Sequence, residues 1–142
     1  MKTPAEVSQD NLVKAKAYIE AYNRRDFDAA VECFDPLVEW VLPDRQSADS
    51  CIGPARIRKF WEQIDEHMEE LQLVPQEYVD AGERVATRLR HRGRGRESGI
   101  ELDQELYHQV ITFREGRMVR IEYFAEWDEA LAAVGIGPRP VG

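Results

Sequence analysis

The chain has 142 residues, 43% of them hydrophobic and 32% charged, with a formal net charge of −8; these are the proportions of one globular domain with a single core. No apolar run approaches the roughly 18 residues of a membrane span, and the negative charge opposes phosphate backbones and anionic lipid, so neither membrane nor nucleic acid is an expected partner. The polar, helix-like pattern after Met1 lacks the apolar stretch of a leader peptide, which makes a cytoplasmic location the expectation.

Thr3-Pro4-Ala5-Glu6 has the form of a capping box with proline at the first helical position, so a helix begins there or one turn later at Ser8. Leu12, Ala15, Ile19 and Tyr22 recur at three- and four-residue spacing, with Tyr18 four residues before Tyr22, and this helix ends around 23–25. Asp26 suits the N-cap of a short second helix through Ala29, Ala30, Val31 and Phe34, which Asp35-Pro36 stops. Residues 37–42 are apolar and partly β-branched and predict a strand, ended by Pro43-Asp44 and followed by a polar loop. Cys33 and Cys51 lie on either side of that strand with no Cys or His at ligand spacing. Both are therefore expected as reduced thiols, and neither a metal nor another cofactor is expected.

Gly53-Pro54 opens a third helix, whose apolar stripe runs through Ile57, Phe60, Trp61, Ile64, Met68 and Leu71. Alternating segments follow at 73–80, 84–92 and 106–114, the last passing through the tight turn Glu115-Gly116-Arg117 into 118–124, and together they predict an antiparallel meander. A short helix over 127–134 closes at Gly135, leaving one domain over 1–135 and a loose Gly/Pro tail over 136–142. Helix, helix, strand, helix and then a run of strands argue for an α+β fold with helices covering one face of a curved sheet.

This order, with the stretches Tyr18-Ile19-Glu20, Leu37-Val38-Glu39-Trp40, Gly53-Pro54-Ala55-Arg56-Ile57 and Phe113 through Ile121, resembles the nuclear transport factor 2-like superfamily in its polyketide-cyclase (SnoaL-like) and ketosteroid-isomerase-like branch. The resemblance implies a cone: a curved antiparallel sheet wrapped by three to four helices, the cystatin-like α+β roll, around one pocket. It also sets residues against roles. Tyr18 stands at the isomerases' hydrogen-bond-donating tyrosine, and Gln109 stands where their second donor, a protonated acid, would be. Trp40 falls at their general base and can take no proton, which argues against steroid isomerisation by that route. The Asp-Arg-Asp arrangement of the limonene epoxide hydrolases is missing too, with Arg88-x-Arg90 and Tyr123 at its positions. For the cyclases' acid or base, His91, His108, Asp44 and Glu126 are candidates.

Strand parity adds the pocket's walls, because residues two apart share a face. Val85, Thr87, Leu89 and His91 form one inward set, Tyr107, Gln109, Ile111 and Phe113 a second, and Val119, Ile121 and Tyr123 a third, beside Val38, Trp40 and Leu42. With Tyr22, Phe60, Trp61 and Ile64 from the helices, these give either an aromatic-lined cavity or a solid core. The catalytic candidates are thus Tyr18, Gln109, His91 and Asp44; the ligand-binding ones are Tyr22, Trp40, Phe60, Trp61, Ile64, Leu89, Tyr107, Ile111, Ile121 and Tyr123.

On the opposite parity lie Arg88, Arg90, Arg92, Arg94 and Arg96, which form either an anion-binding ridge or a solvated hairpin arm paired with acids such as Glu101, Glu105 and Glu122. Leu106, Val110 and Phe124 share that outer face and suggest a homodimer interface. The leading expectation is a protein that binds a small apolar molecule, with isomerase, cyclase or hydrolase chemistry left open. The alternative is a non-catalytic ligand-binding or dimerisation module.

Overall fold

The computed structural model describes residues 1–42 and 51–137. Asp44, the loop around it and the end of the C-terminal tail lie outside the described residues. Helix α1 (Pro4–Asn23) starts where the capping pattern places it, with the Thr3 hydroxyl accepting from the Glu6 amide at 3.2 Å. Asp26 caps α2 (Phe27–Ala30) by accepting from the Ala29 amide at 3.1 Å. Chain order continues with β1 (Phe34–Val41), β2 (Cys51–Ile52), α3 (Pro54–His67), β3 (Met68–Ala81), β4 (Arg84–Gly95), β5 (Glu101–Gln104), β6 (His108–Arg114), β7 (Arg117–Phe124) and α4 (Trp127–Ala133).

The strands form one curved, unclosed sheet in the order β2-β1-β7-β6-β4-β3, with β5 attached to the far end of β4. Neighbouring strands are antiparallel except β1 and β7, which run parallel. The main core lies between the inner face of this sheet and helices α1, α2 and α3. Ile57, Trp61, Val85, Leu89, Ile111, Met118 and Ile121 are fully buried in it. Both cysteines are free thiols.

Val119, expected inward, is only partly buried in an outer groove while Met118 is fully buried, the β6–β7 register shifting between Thr112 and Phe113. Four further local expectations differ from the structure. Phe34 is the first residue of β1 and not the end of α2; Pro36 has no N–H to give a ladder, and the β1–β7 register shifts across Phe34 to Glu39. Helix α3 stops at His67, so Met68 and Leu71 belong to β3, although their spacing continues the helical stripe. Met68 is already extended and paired with Gly95 of β4, and a bulge follows between Glu69 and Gln72, with Glu70 in the left-handed region at φ 54°. That extra residue resets the alternation, leaving Leu71 and Leu73 both buried.

The third difference is in β4, which runs three residues beyond the expected 84–92 and carries β5, a strand not foreseen. The fourth concerns the outer face. Helix α4 packs there over Ala86, Val110 and Phe124, and Leu106 turns inward because 105–107 has left the ladder. Parity places Leu106, Val110 and Phe124 on this face as an apolar strip, but α4 covers part of it within the chain. No helix among the described residues is long and apolar enough to cross a membrane.

Candidate functional site

A cavity of about 300 Å³ lies between α1, α3 and the inner face of the sheet. Tyr18 and Tyr22, one turn apart on α1, face Trp61 of α3, with ring centroids 6.1 and 5.3 Å away. Trp40 of β1 continues the aromatic wall: its ring lies 5.8 Å from Trp61, 6.1 Å from Phe60 and 4.8 Å from Tyr123 of β7. Ile64, His91 and Tyr107 complete the part of the lining that sequence reasoning had picked out, and parity had added Leu42. Trp61 touches five aromatic rings and is completely buried, so it fixes the spacing between helix and sheet.

Leu89, Ile111, Ile121 and Gln109 do not reach the cavity; they are completely buried behind its wall. Parity gave their face correctly but not their depth along the strand. Met68, Leu71, Leu73, Leu102 and Leu106 line the cavity without having been expected to. The first three come from β3 around its bulge, Leu102 comes from β5, and Leu106 from the segment that crosses from β5 to β6. Two polar side chains at the end of α1 hold the β3 wall in place. Asn23 both donates to and accepts from the Leu73 backbone at 2.9 Å, and Arg25 donates to the Leu71 carbonyl at 2.7 Å while pairing with Asp65 at 3.1 Å. Their polar character on a helix end looked like a simple C-terminus in the sequence.

The polar groups of the cavity are neutral. Burial pushes the Tyr18 hydroxyl well above its ordinary pKa, raises Tyr22 to about 12, and raises Tyr123 as well. All three therefore remain protonated donors. Gln109 Nε2 donates to the Tyr123 hydroxyl at 2.8 Å, and the Tyr18 hydroxyl interacts with both groups. Since the Tyr123 oxygen already accepts from Gln109, its own proton is free for another acceptor.

His91 is depressed to about 4, first by burial and then by the neighbouring His108, so it is a neutral imidazole at pH 7. Its Nδ1 is buried without a partner, as are Trp40 Nε1, Trp61 Nε1 and Gln109 Oε1. His108 lies on the other side of the sheet, where its Nδ1 accepts from the Leu89 amide at 3.2 Å and its ring meets Trp127. Glu126 caps α4. Neither residue lines the cavity, and no carboxylate does so among the described residues. No cluster of possible metal ligands occurs among them either. The arginines of β4 all have partners: Arg84 donates to the Ala133 carbonyl, and Arg88, Arg90, Arg92 and Arg94 pair with Glu105, Asp103 and Glu101, in or just after β5; Arg96, just past β4, donates to the Asp65 carbonyl.

Comparison with known proteins agrees with this architecture. An NTF2-like protein of unknown function from Burkholderia pseudomallei K96243 has a TM-score of 0.73 and 24% identity, over 89% of this chain and 98% of that one. A candidate SnoaL-like polyketide cyclase from Jannaschia sp. CCS1 has a TM-score of 0.74 and 17% identity, over 97% and 99%. A candidate polyketide cyclase from Xanthomonas campestris pv. campestris has a TM-score of 0.65 and 22% identity, over 89% and 98%. No curated protein sequence matches the chain. The sequence profile of the SnoaL-like domain matches residues 15–121, from the inner turns of α1 to the middle of β7. With that match across most of its length and the sheet and helices as described, the chain belongs to the SnoaL-like domain family, within the NTF2-like fold.

Proposed function

We propose that the cavity binds a small, uncharged, flat or alicyclic molecule that carries a carbonyl or similar oxygen acceptor, of polyketide-, steroid- or terpenoid-like character. In this reading Tyr123 and Tyr18 donate hydrogen bonds to that oxygen, Gln109 holds Tyr123 in place from behind, and His91 is the proton acceptor. The observation that carries the reading is a cavity of about 300 Å³ with aromatic walls, joined to a buried cluster of Tyr18, Tyr123 and Gln109. That volume lies at the lower end of the roughly 300–1,000 Å³ typical of small-molecule sites. An ionised ligand would meet no charged side chain among the described lining residues, so burying it would be costly.

The donors suit a developing negative charge on oxygen because they are already oriented in a water-poor site. Burial keeps the His91 imidazole unprotonated across the physiological range, so its free nitrogen is available to accept a proton, although its basicity is below that of an ordinary imidazole. With Trp40 in the cavity wall and no carboxylate among the described lining residues, isomerisation through a carboxylate base is not the reaction we assign. The polyketide cyclases among the structural neighbours make carbonyl activation of a polyketide-like substrate the reaction class to test first.

The test is fluorescence titration with prodan, a neutral naphthyl ketone. The wild type should bind it with a blue-shifted emission, and Tyr123→Phe should weaken binding about tenfold, the worth of one buried hydrogen bond. Tyr18→Phe should weaken it to a similar degree. Absence of binding by the wild type to prodan and to a panel of neutral aromatic ketones would overturn the proposal.

A further inference from the structure

The arginine series of β4 is where the sequence is most unusual, and the structure places it beside the cavity. Strand β5 pairs with β4 alone, in the register His91 with Gln104 through Arg94 with Glu101. The chain then crosses 105–107 with no ladder before entering β6 at His108. Leu102, Leu106 and Tyr107 of this arm form one wall of the cavity, and each is only half-buried. Inside the arm, the Tyr107 ring stands edge-on to His91 at 6.3 Å. One stretch of chain therefore carries apolar side chains over the cavity on one side and acids on the other.

Those acids face the arginines in sequence. Arg88 pairs with Glu105 at 2.5 Å, Arg90 and Arg92 share Asp103 at 2.5 and 3.2 Å, and Arg94 reaches Glu101 at 3.1 Å. Arg90 also donates to the Asp103 carbonyl at 3.1 Å. The pairs lie at the surface, so each is weak alone and screened by salt. They act together because they fasten the same short segment, and their strength sets how often it lifts.

We infer that the β5 arm, Glu101 to Tyr107, is a lid over the cavity, held shut by the Arg88–Glu105, Arg90–Asp103–Arg92 and Arg94–Glu101 ion pairs, so that ionic strength governs ligand entry. The inference builds on the proposed binding cavity. It assigns these arginines to gating and leaves none of them in contact with ligand. Opening is the separation of β5 from β4, which exposes Leu102 and Leu106 and uncovers His91.

The experiment compares the wild type with the double variant Asp103→Asn, Glu105→Gln, which removes three of the four pairs without touching the cavity. Prodan is uncharged, so salt acts on its entry through the protein alone. In stopped-flow mixing at low salt the variant should bind prodan about three- to tenfold faster than the wild type. The wild-type rate should rise towards that of the variant as salt increases, and the variant's rate should hardly respond. Hydrogen exchange of the peptide spanning 99–107 supplies a readout without ligand: exchange should quicken with salt in the wild type and be fast throughout in the variant. Exchange that ignores both salt and the substitutions overturns the lid. Exchange that responds while the wild type fails to bind prodan supports the lid and overturns the binding proposal.

Discussion

A buried imidazole with an unpartnered nitrogen stores a pH dependence that can be measured. The pKa of His91 falls from the ordinary 6.5 to about 4 because burial disfavours its cation and His108 stands nearby. His108 is lowered as well, by burial and by Arg88, with Glu105 and Glu126 opposing. Between pH 4 and 6.5 the unfolded chain binds the proton that the folded one refuses. Stability is thus complete above pH 6.5 and is lost as pH falls towards 4, by about 2–3 kcal/mol for His91. Urea unfolding at pH 7.5 and 4.5 should show this loss, and His91→Phe should remove most of it. An equal loss in the variant would place the titration elsewhere.

Single residues of the site were partly legible before any coordinates. Tyr18, Trp40, Trp61 and Tyr123 were identified by helical spacing, parity and resemblance, and all four line the cavity. Leu89, Ile111 and Ile121 share the inward face, but they pack into solid core. Alternation reports which side of a sheet a residue occupies, and it carries no information on how far the helices close over that position.

Among the elements, the β6–β7 turn was the clearest signal. Glu115 and Gly116 have φ of 51° and 77°, the two positive values of a type I′ turn, which matches the twist of the strands it joins. The Lys14 ammonium donates to the Gly116 carbonyl at 2.9 Å and ties the turn to α1. A Cβ at Gly116 would sit 2.7 Å from that ammonium as well as in a strained backbone. Gly116→Ala should therefore cost about 1–2 kcal/mol, and Glu115→Asn, which relieves the other left-handed position, should gain about 0.5 kcal/mol. Equilibrium unfolding checks both, and a loss for Glu115→Asn would contradict this account of the turn. The α3–β3 junction was illegible for the opposite reason. Ile64, Met68 and Leu71 keep helical spacing across it with no Gly or Pro to mark the break, and only pairing with β4 makes Met68 extended. Tertiary contacts decided the matter where local preference was neutral.

At the scale of the molecule, the helices close the inner face of the sheet at one end, where Phe113, Met118 and Ile19 pack solidly, and leave it hollow at the other, where Tyr107 and His91 meet. Helix α4 seals part of the outer face, and parallel pairing of β1 with β7 brings Trp40 beside Tyr123. The helix and strand order gave the α+β fold, because amphipathic stripes and alternating segments are local. The parallel pairing, the β3 bulge and the β5 arm were hidden, because they depend on which distant strands meet. The central claim is that the hollow is a ligand site, and a crystal structure of the protein grown with prodan tests it most directly. The account predicts the dye among Tyr18, Trp40, Trp61 and Tyr123 with its carbonyl oxygen against the Tyr123 hydroxyl; dye bound only outside that cavity, or a cavity closed by its own side chains, would contradict it.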